Sequence, residues 1–125
     1  MNMNLILYVQ DQALSRDFYA MALGLAPRVD VPGMTEFEIC PGCVLGLMPE
    51  AGIKRLLPSL PDPAGARGLP RAEVYLTVPD PAACHARALA AGARELSPLA
   101  ARGWGHEAAY SLDRDGHVLA FARVL

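Results

Sequence analysis

Apolar and polar positions follow one another along this chain in two series of the same order. Leu5-Ile6-Leu7-Tyr8-Val9 is a short apolar run between Asn4 and Gln10-Asp11, which predicts a buried strand. Leu14, Phe18, Met21 and Ala22 then recur at helical spacing, leaving Ser15, Arg16 and Asp17 for the water side. Asp11 is placed to cap the free N–H groups of that helix, and Gly24 to end it. A short strand is expected at Val29-Asp30-Val31. Glu36-Phe37-Glu38-Ile39 alternates acids with apolar side chains, so one face should be buried and the other wet. The chain turns at Pro41-Gly42 and returns as the apolar strand Cys43 to Met48.

The second series restarts at Ala72. Glu73 to Val78 reads as a strand, Asp80 caps a helix with Pro81 at its first position, and the alanine-rich helix ends at Gly92. Ala93 to Leu99 leads into a last hairpin within Arg102 to Phe121. That hairpin turns at Asp113-Arg114-Asp115-Gly116, where Asp can bond its own backbone and Gly accepts positive φ. Leu7-Tyr8-Val9-Gln10-Asp11 superposes on Leu76-Thr77-Val78-Pro79-Asp80 at an offset of 69 (80 − 11), and Gly42 on Gly116 at 74 (116 − 42). The chain is therefore read as a duplicated β-α-β-β-β unit, an α+β fold.

Between the two series, Pro49 to Pro70 is rich in proline and glycine, with one helical turn expected at Ile53 to Leu57. A connection this long suits either a functional flap or a plain crossover linker. The organisation is one domain over residues 1–125, with a first module at 1–50, a linker at 51–70 and a second module at 71–125.

A formal charge of −2, from 11 Lys and Arg against 13 Asp and Glu, offers no basic field for a phosphate backbone, so nucleic acid is not an expected partner. Met1-Asn2-Met3-Asn4 lacks the basic region of a signal peptide, and the apolar run after it falls far short of the roughly 20 residues a membrane span requires. No membrane partner and a cytoplasmic location are expected. Three cysteines do not make a disulfide framework, which suits a reducing compartment.

Cys40-Pro41-Gly42-Cys43 has the spacing of a redox or zinc motif, but Pro-Gly reads as a hairpin turn and no second pair of metal-ligand spacing exists. Cys84 reads as a small buried apolar residue. Of the scattered histidines, His85 is expected on a helix surface and His117 on the rim of the last strand, both structural. His106 follows Trp104-Gly105 and can line a ligand site. Trp104 stands between Gly103 and Gly105, free to present a flat face to a ligand or another subunit.

The paired modules, the Asp-capped helix with Phe18-Tyr19 before Leu23-Gly24-Leu25, and the Asp113-Arg114-Asp115-Gly116-His117 turn resemble the vicinal oxygen chelate superfamily, which includes glyoxalases, extradiol dioxygenases and the fosfomycin and bleomycin resistance proteins. The resemblance implies curved mixed sheets around a cavity, in a homodimer. It places the family's metal ligands at Asn4, Gly46, Glu73 and Ala120. Only Glu73 is a good ligand, because glycine and alanine side chains have no donor atom. No metal, cofactor or catalytic residue is therefore expected.

Gly46 and Ala120, with Ala108, Ala109 and Ala122, are expected to leave room where the metal would sit. The metal-free branch, similar to bleomycin resistance proteins, implies binding of a small-molecule or peptide natural product. Trp104 and Tyr110 would stack on it, with polar contacts from His106 and from Glu73, an acid held in an apolar pocket beside Tyr75; Tyr8, Phe37 and Met48 are further wall candidates. The alternative is a glyoxalase- or dioxygenase-like enzyme with a remade metal site that includes His106 and Glu73 as general base. A module acting only through its dimer surface is a third possibility.

Overall fold

The computed structural model describes residues 1–125. Three helices and eight strands form two four-stranded mixed sheets, the duplicated architecture the sequence predicts. The first series is β1 (Met3–Val9), α1 (Gln12–Leu23), β2 (Val29–Val31), β3 (Met34–Cys40) and β4 (Cys43–Pro49). A helix α2 (Glu50–Leu56) and a 3-10 turn (Pro63–Ala66) follow, and then β5 (Glu73–Thr77), α3 (Pro81–Ala90), β6 (Arg94–Ala101), β7 (His106–Leu112) and β8 (Val118–Val124). Two compact units result: Met1–Ala20 with Leu25–Arg67, and Met21–Gly24 with Gly68–Leu125.

In the first unit the strand order is β1-β4-β3-β2, with β1 and β4 parallel and the rest antiparallel. Asp11 caps α1, accepting from the Leu14 N–H at 2.9 Å. The buried stripe of that helix differs from the expected one. Ser15, Phe18, Tyr19 and Ala22 are buried, the i, i+3, i+4, i+7 spacing of one helix face, whereas Leu14 and Met21 are 45% and 46% exposed. Apolar character at 14 and 21 suggested a different rotation, whereas the buried face is centred on Phe18 and Tyr19.

The connection after β4 is more ordered than one helical turn. Glu50, buried at the start of α2, accepts from Arg67 at 2.7 and 2.9 Å, and Lys54 donates to the carbonyls of Pro58 and Leu60. These bonds fold the segment back on α2.

In the second unit the order is β5-β8-β7-β6, with β5 and β8 parallel. Asp80 caps α3 through the Ala83 N–H, with Pro81 following it as expected. The helix packs on β6, β7 and β8. His85 on α3 is buried, not on the helix surface, because its Nε2 meets Glu95 on β6 at 2.9 Å. Glu95 lies opposite Ser111, and Ser111 opposite Leu119, so this is the helix-covered face; Ala109, Phe121 and Val74 share it. Full burial of Leu119 and Phe121 there contributes roughly 1.5–3 kcal/mol apiece.

The turn between β7 and β8 is built on Asp113, whose Oδ1 accepts from the N–H groups of Asp115 and His117. His117 is buried rather than on a rim. Arg71 Nη2 donates to the Asp115 carbonyl and approaches His117 Nε2 at 3.2 Å, and since arginine only donates, that ring nitrogen accepts. Gly116 has φ 89°, and a Cβ there would stand 2.7 Å from the Gly68 carbonyl carbon. The end of the connection is seated on this turn.

Candidate functional site

The face of the second sheet opposite α3 carries the two tyrosines. Tyr75 on β5 and Tyr110 on β7 both lie opposite Ala120 on β8, and Ser97 on β6 lies opposite Tyr110. One row thus runs Tyr75, Ala120, Tyr110, Ser97. The small residue in the middle lets the two tyrosine rings approach across it, to 6.5 Å between centroids at an interplanar angle of 56°.

Trp104 sits at the tip of the β6–β7 hairpin, in a turn closed by Gly105 N–H to Arg102 O and by Arg102 N–H to His106 O. Its indole N–H donates to the Tyr75 hydroxyl at 3.1 Å, yet the residue remains 57% exposed. The same hydroxyl lies 2.8 Å from His106 Nδ1, and the Tyr75 and His106 rings are 5.9 Å apart. The Tyr75 oxygen accepts from the indole and is at the same time hydrogen-bonded to His106 Nδ1.

Arg102 was not singled out as a site residue by the sequence, although it directly precedes Gly-Trp-Gly. Its guanidinium donates to Ala108 O at 2.8 Å, Ser97 Oγ at 2.8 Å and Pro98 O at 3.0 Å, and lies 5.2 Å from the Tyr110 ring centroid. Those contacts fix the hairpin that presents Trp104. The Tyr110 phenol is held above its usual range by burial first, then by the nearby charges of Glu73 and Tyr75, with Arg102 opposing. It remains an uncharged O–H donor.

Other predicted residues stand elsewhere. Glu73 is exposed at the start of β5, not enclosed by apolar walls, because it lies two residues before Tyr75 where the strand emerges. Phe37 is fully buried and shares a face with Leu45 and Leu47, opposite the face of Tyr8 and Met48, so it is core to the first sheet. Tyr8 and Met48 lie opposite one another in register, both half-buried, within the first unit.

The family's metal positions do not fit an ion. No three His, Cys, Asp or Glu side chains converge to hold one. Nor does Gly46 leave a vacant place: a Cβ there would meet Ile6 Cγ1 at 3.2 Å and Met34 Sδ at 3.3 Å, so neighbouring side chains have closed over it. At Ala120 the adjacent ground is occupied by Tyr75 and Tyr110.

No helix is long and apolar enough to cross a membrane. No curated protein matches the chain by sequence. Solved structures share its fold. A glyoxalase-related enzyme from Fulvimarina pelagi superposes with a TM-score of 0.84 at 24% identity, covering 98% of this chain and 87% of the other. A glyoxalase/bleomycin resistance protein/dioxygenase from Nocardioides gives 0.79 at 23% identity over 100% and 83%. TioX from Micromonospora sp. ML1 gives 0.70 at 22% identity over 100% and 99%. The sequence itself matches the family description over residues 3–121, which is nearly its whole length. The chain therefore belongs to the Glyoxalase/Bleomycin resistance protein/Dioxygenase superfamily.

Proposed function

We propose that this protein binds, without a metal and without catalysis, a hydrophobic and partly planar small molecule or peptide antibiotic, and so acts in resistance or self-protection by sequestration. The observation that carries this reading is the exposed indole of Trp104, oriented by the Tyr75 hydroxyl beside the Tyr75, His106 and Tyr110 rings. A planar ligand stacking on that indole would meet aromatic area already held in place, which lowers the ordering cost of binding. His106 Nε2 and the Tyr110 hydroxyl would serve polar groups at the ligand's edge.

The working unit is a homodimer in this proposal. Support comes from β1, which ends its sheet and leaves Met3, Leu5 and Ile6 exposed, and from exposed Val124 and Leu125 at the end of the chain. Unpaired strand edges with apolar side chains favour association.

The experiment is a fluorescence titration, at Trp104, with aromatic peptide antibiotics including bleomycin, alongside a metal assay of the same sample. Saturable quenching at one site per subunit, abolished in Trp104→Ala, with no bound metal, supports sequestration. A tightly held divalent metal and an indole indifferent to every ligand overturn it.

A further inference from the structure

The turn between β3 and β4 carries chemistry that ligand binding leaves unused. Cys40 and Cys43 are direct partners across it, so their side chains emerge on the same face of the hairpin. Pro41 supplies a fixed negative φ and Gly42 has φ 81°, the combination a type II turn asks for. The ends of such a turn lie within about 7 Å Cα to Cα, and a disulfide spans about 4.4–6.8 Å. Both thiols are free; Cys40 is exposed and Cys43 half-buried. The turn is also braced from outside, since the Met3 N–H donates to the Gly42 carbonyl at 2.8 Å.

We propose that Cys40 and Cys43 form a reversible dithiol–disulfide site, oxidised by low-molecular-weight disulfides such as oxidised glutathione. The exposed Cys40 thiolate attacks one sulfur of the glutathione disulfide, the S–S bond breaks, and one glutathione leaves as a thiolate and is protonated. The Cys43 thiolate then attacks the Cys40 sulfur of the mixed disulfide and expels the second glutathione. Two protein thiols lose two electrons and two protons; the glutathione disulfide gains both electrons, and the protons end on its two thiols.

The geometry suits a labile bridge better than a staple. Closing so short a loop removes little entropy from the unfolded chain, so the bond adds little stability. An exposed bridge of this kind is readily reduced again by a thiol pool. The first step is slow near neutral pH, because the Cys40 thiol is raised by partial desolvation, then by Cys43 and by Glu38. Unlike a CxxC at a helix start, this one has no positive end of a helix to help it. Cys84 belongs to α3, where its sulfur accepts from Arg87 at 3.3 Å.

The test treats the full chain, and a Cys84→Ala variant, with oxidised glutathione under native conditions, followed by alkylation and peptide mass mapping. The expected result is a Cys40–Cys43 linked peptide, loss of two free thiols, faster closure at higher pH, and full recovery in excess reduced glutathione. Cys43→Ser should stall as a stable Cys40–glutathione adduct. Accumulation of the mixed disulfide in the unmutated chain, or a bridge seen only after denaturation, overturns the proposal. The unmutated protein decides the matter even where a variant folds poorly.

Discussion

The hydroxyl of Tyr75 lies 2.8 Å from Nδ1 of His106, and the same oxygen receives the Trp104 indole N–H. One phenol thus joins an edge strand to the tip of the opposite hairpin. Tyr75→Phe removes both bonds while keeping the ring. The cost to folding is about 1–2 kcal/mol, since these bonds are part-exposed, read from the denaturation midpoint. The Trp104 indole should also lose its fixed orientation, visible as lower fluorescence anisotropy, with weaker ligand quenching.

Alkaline titration should report on Tyr110. Its folded-state pKa lies above the ordinary value of 10.0, chiefly through burial and next through Glu73. The protonated form is favoured in the folded chain, so this contribution to stability is complete below pH 10 and is lost as pH rises through the raised folded value. Glu73→Gln removes a like charge and should lower the Tyr110 pKa, without returning it to the ordinary value, because burial remains. Phenolate absorbance followed against pH, with Tyr110→Phe identifying the transition, makes the measurement; an unchanged transition in Glu73→Gln would contradict it.

Gly116→Ala should destabilise the second unit by about 3 kcal/mol, combining positive-φ strain with an approach to the Gly68 backbone that cannot be relieved by rotating a side chain. Gly42→Ala should cost about 1 kcal/mol, because its new methyl would meet only the Asn2 side chain, at 3.0 Å. Urea denaturation of the two variants side by side tests the difference.

Asp113→Ala leaves the N–H groups of Asp115 and His117 without their acceptor and should cost about 2–3 kcal/mol. Asp113→Asn keeps an oxygen at Oδ1 and should cost about 1 kcal/mol or less. Equal losses in both would show that the charge, not the acceptor, supports the turn.

The fold was legible because its signals are local. Asp11 and Asp80 sit one residue ahead of apolar helical runs and do cap them, and the Pro41-Gly42 and Asp113–Gly116 turns are marked by residue types with few other uses. The repeat offset then paired the modules without any knowledge of contacts. The rotation of α1 was not legible, since choosing between Leu14 and Tyr19 as a buried position depends on what the helix packs against. His85 and His117 misled for a related reason: each is buried by a polar partner distant in sequence, Glu95 for one and Arg71 for the other.

Of the candidate residues, Trp104, Tyr75, His106 and Tyr110 lie together in the second unit; the Gly-Trp-Gly loop marked the first of them, whereas the hydrogen bonds joining them left no sign in the sequence. Phe37 failed by parity alone, being on the odd face of its sheet. The vacancy expected at Gly46 failed because absence of a side chain says nothing about which neighbours move in. Arg102 was overlooked since its partners are mostly backbone carbonyls, which leave no mark in a sequence.

The two hairpin turns occupy matching places in the repeat, but the contacts around them constrain them unequally. The second turn serves as the seat for the inter-module connection at Gly68, so any residue larger than glycine at 116 displaces main chain. At the first turn a side chain on residue 42 would meet the Asn2 side chain and no main chain, so beyond the positive φ of Gly42 a change there costs less. It is in the turn with that latitude that this chain carries a pair of thiols.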